Sequence, residues 1–162
     1  MCIRDSHDTY FKNTNDLNSL KELQGHYMNE VNIIDKPMVM NYDGLNIGLL
    51  PWIAEDNEEE SLEFINNCNA SIIGAHLELQ GFDMSKGMPC IDGMSRQPFE
   101  KFEMVLTGHF HSKSNQGNIH YLGAQMEFFW NDCDDPKYFH ILDTETRAVS
   151  YTHLRAHETA SD

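Results

Sequence analysis

Ser71-Ile72-Ile73-Gly74-Ala75-His76 and, further along the chain, Met104-Val105-Leu106-Thr107-Gly108-His109-Phe110-His111 are the two stretches on which the fold turns. Each is a short apolar run that passes through glycine to histidine. Runs this apolar suit strands buried on both faces, as in a parallel sheet. Two such strands in one sheet would deliver both histidine-bearing loops to its carboxyl edge, where α/β folds assemble their sites. Gly108 lets the backbone turn tightly before the imidazoles. In an extended stretch, residues two apart project to the same side, so His109 and His111 can face one metal cluster while Phe110 packs the other way. His76, delivered by the same device, is the third imidazole, and these three are the candidate metal ligands.

Working outward, Asn15 or Asp16 is positioned to cap a helix in which Leu17, Leu20 and Leu23 fall at helical spacing, ending near Gly25. Extended pieces follow at 31–34 and 38–41, then Asp43-Gly44 as a hairpin signal, then 45–52, which together read as a β-meander. The acidic run 55–60 opens a second helix to about Asn67, where negative charge suits the positive end of the helix dipole, with Leu62 and Ile65 inward. Residues 81–98, rich in Gly, Pro, Met and Ser, read as a long surface excursion. After Ser112 the pattern turns to strands at 119–122, 127–130 and 138–142, with turns at Asn131-Asp132 and Asp134-Asp135-Pro136.

A chain of 162 residues with 40% hydrophobic and 10% aromatic content can close one ordinary core. Eleven basic against twenty-six acidic side chains give a net charge of −15, which argues against a broad basic grip on nucleic acid. Phosphates would need another source of positive charge. No run approaches the roughly 18 apolar residues of a membrane span, and the start lacks the order of a signal peptide, so a soluble cytoplasmic protein with no membrane partner is expected. Cys2, Cys68, Cys90 and Cys133 form no C-x-x-C pair and read as plain thiols. His26, His120 and His140 stand in ordinary strand or loop contexts and read as structural or surface residues.

Several segments together carry a family likeness: His7-Asp8-Thr9-Tyr10, Leu50-Pro51-Trp52, the run from Gly74-Ala75-His76 through Leu77-Glu78-Leu79-Gln80-Gly81-Phe82, Thr107-Gly108-His109-Phe110-His111, and Leu142-Asp143-Thr144-Glu145-Thr146. In their order the chain resembles the calcineurin-like metallophosphoesterases. Within them it is most similar to the SbcD-type DNA repair nucleases, especially the recombination endonuclease subunit of tailed phages. That resemblance implies an α/β fold, the metallophosphoesterase αββα sandwich of two mixed sheets flanked by helices. It implies two divalent metal ions, Mn2+ in relatives, with His76 and His109 as ligands of one and His111 of the other. His7 would be the catalytic residue beside the scissile phosphate, protonating or orienting the leaving oxygen, with Asp8 orienting it. The implied activity is metal-dependent hydrolysis of DNA phosphodiesters in repair and recombination. The implied partners are DNA, an SbcC-type SMC-like ATPase and a second copy of the full-length protein, in a bacterial cytoplasm and phage-encoded. Metal ions would supply the positive charge that the composition lacks.

The chain also departs from that pattern. Nothing before His7 supplies D-x-H or G-D-x-x-D, and Asp5-Ser6 stands where the family has Gly-Asn. Residues 1–6 and 149–162 resemble translated sequencing-adapter read-through, which leaves 7–148 as the carboxyl-side part of the nuclease domain, without its first strand-helix segments. Setting both ends aside leaves the acidity in place. Losing those segments would expose a sheet edge and part of an apolar face. Two other readings stand beside the nuclease fragment. One is a truncated scaffold, catalytically incompetent as given, whose three imidazoles hold a single ion weakly. The other is a metallophosphatase or phosphodiesterase of the same superfamily, which divergence around 76–82 would favour.

Overall fold

A computed structural model of the chain describes residues 2–3, 9–11, 13–27 and 32–154. His7 and Asp8, and with them the expected leaving-group histidine and its partner, lie outside the described residues. In chain order the elements are β1 (Cys2–Ile3), α1 (Ser19–Tyr27), β2 (Ile33–Ile34), β3 (Met38–Tyr42), β4 (Leu45–Leu50), α2 (Glu58–Asn67), β5 (Ile72–His76), β6 (Asp83–Ser85), β7 (Met88–Pro89), β8 (Met104–Gly108), β9 (Ser114–Gln116), β10 (Ile119–Tyr121), β11 (Lys137–Leu142) and β12 (Val149–Leu154). Short 3-10 turns occupy Gln97–Phe99 and Trp130–Asp132.

Six strands make one mixed sheet in the order β3-β4-β5-β8-β10-β9. The inner strands β4, β5, β8 and β10 run parallel, and β3 and β9 close the edges antiparallel. The fold is therefore mixed α/β, as expected. Among the described residues the rest of the β-structure is three two-stranded pieces, β1-β2, β6-β7 and β11-β12. Apolar runs become the central strands because those strands are covered on both faces: Ile72, Ile73, Leu49, Leu50 and Val105 have essentially no solvent exposure. Helix α2 lays Ile65 against this sheet, and Leu62 packs at the edge of the same core. At Gly48 on β4 an added β-carbon would lie 3.1 Å from Cys68 Sγ, so glycine lets the end of α2 approach the sheet. Asp43 and Gly44 both have positive φ, the turn that matches strand twist in a two-residue hairpin.

Other expectations need correction. The first helix is capped by Asn18, not Asn15 or Asp16: its Oδ1 accepts the Lys21 amide at 3.0 Å, and the helix runs on past Gly25. Asn15 is buried instead, with its Nδ2 donating to the Trp52 carbonyl. No three-stranded meander forms, because β2 pairs in parallel with β1. Only Asp35, Lys36 and Pro37 separate β2 from β3, and Pro37 has no amide for a ladder. The excursion 81–98 contains the β6-β7 hairpin and buries Phe82 and Cys90, whose backbones hydrogen-bond each other. Residues 127–130 are not a strand: the Asp132 carboxylate takes the amides of Phe128 and Phe129 that a neighbouring strand would have taken. Strand β12 falls in the stretch that the sequence set apart as foreign, and pairs along its whole length with β11.

Candidate metal centre

Strands β5 and β8 are adjacent and parallel, with His76 opposite Gly108, so both histidine-bearing loops leave the same sheet edge. A β-carbon at Gly108 would lie 2.9 Å from His76 Nδ1; the imidazole occupies the space that the glycine leaves. The chain beyond His76 is held from two sides. The Leu77 amide donates to Thr107 Oγ1 at 3.0 Å. The buried Tyr121 hydroxyl accepts the Leu79 amide at 3.1 Å and donates to the Leu77 carbonyl at 2.8 Å. Burial pushes the Tyr121 phenol pKa far above its usual value, so the group stays a neutral donor. Phe110 turns into the core and stacks on Tyr121, although the chain has left the extended strand by His109.

His109 adopts φ +89°, a left-handed backbone that is costly for any residue with a β-carbon. Its ring stands edge-on to His76, with centroids 5.3 Å apart. On its other side it stacks on Trp52 at 5.1 Å. Trp52 is anchored through its carbonyl, which accepts from the side chains of Asn15 and Asn57. Glu78 Oε2 lies 3.7 Å from His109 Nε2, and Glu78 Oε1 is 3.7 Å from the Cys90 thiol. Burial pushes that thiol's pKa up, so it remains protonated. Cys68 and Cys133 are likewise free.

His111 has different neighbours. Its Nδ1 sits 2.9 and 3.1 Å from the two oxygens of Asp132, and its ring stacks nearly parallel on Phe129. Burial by itself raises the Asp132 pKa; the Phe128 amide, the His111 ring and the Phe129 amide outweigh it and hold the carboxyl below its usual range. Lys137, also buried, reaches Asp135 at 2.9 Å, Asp132 at 3.8 Å and the His111 carbonyl at 3.4 Å. Thus His76 and His109 stand side by side, whereas His111 is held on a carboxylate and an aromatic ring of its own. His140 bonds the Leu122 carbonyl through Nε2, and His120 lies on β10.

The donor chemistry suits borderline divalent cations, for which imidazole is a preferred ligand. The Gly108 cradle fits an imidazole held in place before any ion arrives. Among the described residues, no three His, Cys, Asp or Glu side chains gather closely enough to hold an ion by themselves. Sequence reasoning passed over Asp132, Lys137 and Glu78 as members of this site, and Trp52 as its wall. Asp132 was hidden in a turn signal, and Lys137 was indistinguishable from a surface lysine.

A mixed sheet whose parallel strands end in histidine-bearing loops has the architecture of a metallophosphoesterase-like sandwich. No family model matches the chain. It is 36% identical over 146 residues to exonuclease subunit 1 of Enterobacteria phage T4, a match covering 90% of this chain and 42% of the phage protein. It is 27% identical over 124 residues to the protein named "Putative phosphoesterase 244L" of Invertebrate iridescent virus 6, covering 74% of this chain and 41% of that one. These matches make the chain similar to a viral exonuclease subunit and to a viral phosphoesterase. It spans less than half the length of either relative.

Proposed function

We propose that the chain is part of a divalent-metal-dependent DNA nuclease that hydrolyses phosphodiesters during repair and recombination, in complex with an SbcC-type ATPase. The observation that carries the reading is the edge-on pair of His76 and His109 at the ends of adjacent parallel strands, with His111 two residues on. The naming of the T4 relative as an exonuclease subunit supports DNA as substrate and a multi-subunit assembly. His76, His109 and His111 would hold two divalent ions, Mn2+ first among them. When bound, such ions polarise a phosphodiester and generate hydroxide at neutral pH. The chain's own contribution is positional. Gly108 and Trp52 confine the His76 and His109 rings, and Asp132 holds His111. His7 is the candidate to protonate the leaving oxygen, with Asp8 fixing its orientation. Activity is placed in the cytoplasm of a bacterial host, with a second copy of the longer protein as a further partner.

A chain extended to the length of the T4 relative should degrade linear duplex DNA with Mn2+, and His7→Ala or His109→Ala should abolish this. Retained cleavage in both variants would remove the roles assigned to these residues. For the chain as it stands, the absence of any three-ligand cluster among the described residues favours the second reading, a scaffold without activity that binds at most one ion weakly. Mn2+ titration separates the two, since two tight cooperative sites contradict the second.

A further inference from the structure

We infer that Asp132 is a positioning residue for His111, fixing its ring as the Nδ1–H tautomer so that the lone pair lies on Nε2, turned away from the carboxylate. The inference rests on the reading of His111 as a metal ligand and names a residue that the ligand set does not contain.

The geometry is specific. Both oxygens of a carboxylate with 3% residue exposure converge on one ring nitrogen, at 2.9 and 3.1 Å. An ionised carboxylate only accepts hydrogen bonds, so the ring nitrogen facing it must carry the proton. The carboxylate cannot swing away, because Oδ2 also accepts the amides of Phe128 at 2.9 Å and Phe129 at 3.0 Å. The ring cannot easily rotate either, since it stacks within 6° of parallel on Phe129. Lys137 adds a tether to the same unit, with its ammonium 3.8 Å from Asp132 Oδ1 and 3.4 Å from the His111 carbonyl. Gly123 completes the arrangement: the next residue's amide donates to that same carbonyl at 2.8 Å, and a β-carbon at Gly123 would lie 2.9 Å from it. Ring, backbone and carboxylate are each fixed by separate contacts. A surface ion pair has no need of such fixing, whereas a ligand whose free nitrogen must point one way does.

The test uses the whole chain with isotope-labelled histidine, free of metal, at a pH of about 8 where imidazole is neutral. Long-range proton–nitrogen correlation spectra should show His111 as the Nδ1–H tautomer. In Asp132→Asn, whose amide can present a donor to the ring, that tautomer should lose its dominance while the backbone spectrum shows a retained fold. An Nε2–H ring in the unaltered chain, or an unchanged tautomer in Asp132→Asn, overturns the inference. The unaltered chain gives its answer even if the variant fails to fold. Mn2+ alone, followed by electron paramagnetic resonance, supplies the second arm. Asp132→Asn should weaken binding by about tenfold to a hundredfold, the usual effect of removing a partner that orients a ligand. Undiminished binding in that variant counts against the inference. His111→Ala tests the underlying reading separately. If it leaves Mn2+ binding intact, the ligand role fails and the tautomer spectra alone decide the role of Asp132.

Discussion

His76 and Gly108 face each other across adjacent parallel strands, and the position a β-carbon would take at Gly108 is 2.9 Å from His76 Nδ1. Real β-carbons do not tolerate that approach to a ring atom, so Gly108→Ala must move either the imidazole or the strand end. We expect a loss of stability of about 1–3 kcal/mol, the usual cost of overpacking a well-filled site. The His76 ring signals should shift with it. Denaturant titration and histidine spectra check both, and unchanged midpoint and spectra would mean that the ring is free to step aside.

Much of this site was legible because it depends on local pattern. The apolar runs at Ile72 and Val105, each followed by glycine and histidine, required only that buried strands be parallel neighbours, and they are. Asp43-Gly44 made its hairpin for equally local reasons. Asp132 was illegible for the opposite reason. Its carboxylate bonds amides three and four residues earlier and a ring 21 positions away, and no periodicity records a side chain that competes with a strand for backbone donors. The same competition leaves the expected strand at 127–130 irregular, running into the 3-10 turn Trp130–Asp132. Lys137 and Trp52 owe their roles to neighbours distant in sequence, His111 and Asn15 among them.

Tyr121 spans two strand ends with one hydroxyl. It accepts from Leu79 and donates to Leu77, both buried, and no water can replace it at 1% residue exposure. Tyr121→Phe keeps the ring packed between Phe82 and Phe110 but strands a buried amide and a buried carbonyl. The expected cost is about 1–3 kcal/mol, read from chemical denaturation. Faster amide exchange at Leu77 to Leu79 should accompany it. A neutral substitution would show that the hydroxyl does not hold the loop that carries Glu78.

His120 gives the chain a pH dependence near neutrality. Burial first, and the Lys113 ammonium second, hold its pKa below the ordinary 6.5. The unfolded ring therefore takes up its proton at a higher pH than the folded one. The stability this ring contributes is complete above about 6.5, falls as the pH drops through that value, and stops falling once the folded ring also titrates. His120→Gln should flatten the part of the curve just below 6.5. Unfolding free energies measured across that window, with and without the substitution, check the sign; a difference between the two that favours the unaltered chain increasingly on acidification would contradict it.

His109 combines a half-buried imidazole with a backbone that glycine would prefer, and the two can be separated by a pair of substitutions. At φ +89° a β-carbon is strained, and single residues held in such regions cost about 1–3 kcal/mol. His109→Ala loses the imidazole and its stacking on Trp52 while keeping the strain. His109→Gly loses the same contacts and relieves the strain, although its unfolded state gains conformational entropy. If the left-handed conformation is imposed by the strand end at Gly108 and the inward packing of Phe110, the glycine variant should be the more stable by about 1 kcal/mol. Both variants should bind Mn2+ more weakly than the unaltered chain, by comparable factors, because both lack the ring. Parallel denaturation of the two decides the matter. An alanine variant as stable as the glycine one would show that the backbone relaxes once the imidazole is gone, and that the ring's own contacts with Trp52 and His76, rather than the fold, hold residue 109 in its strained state.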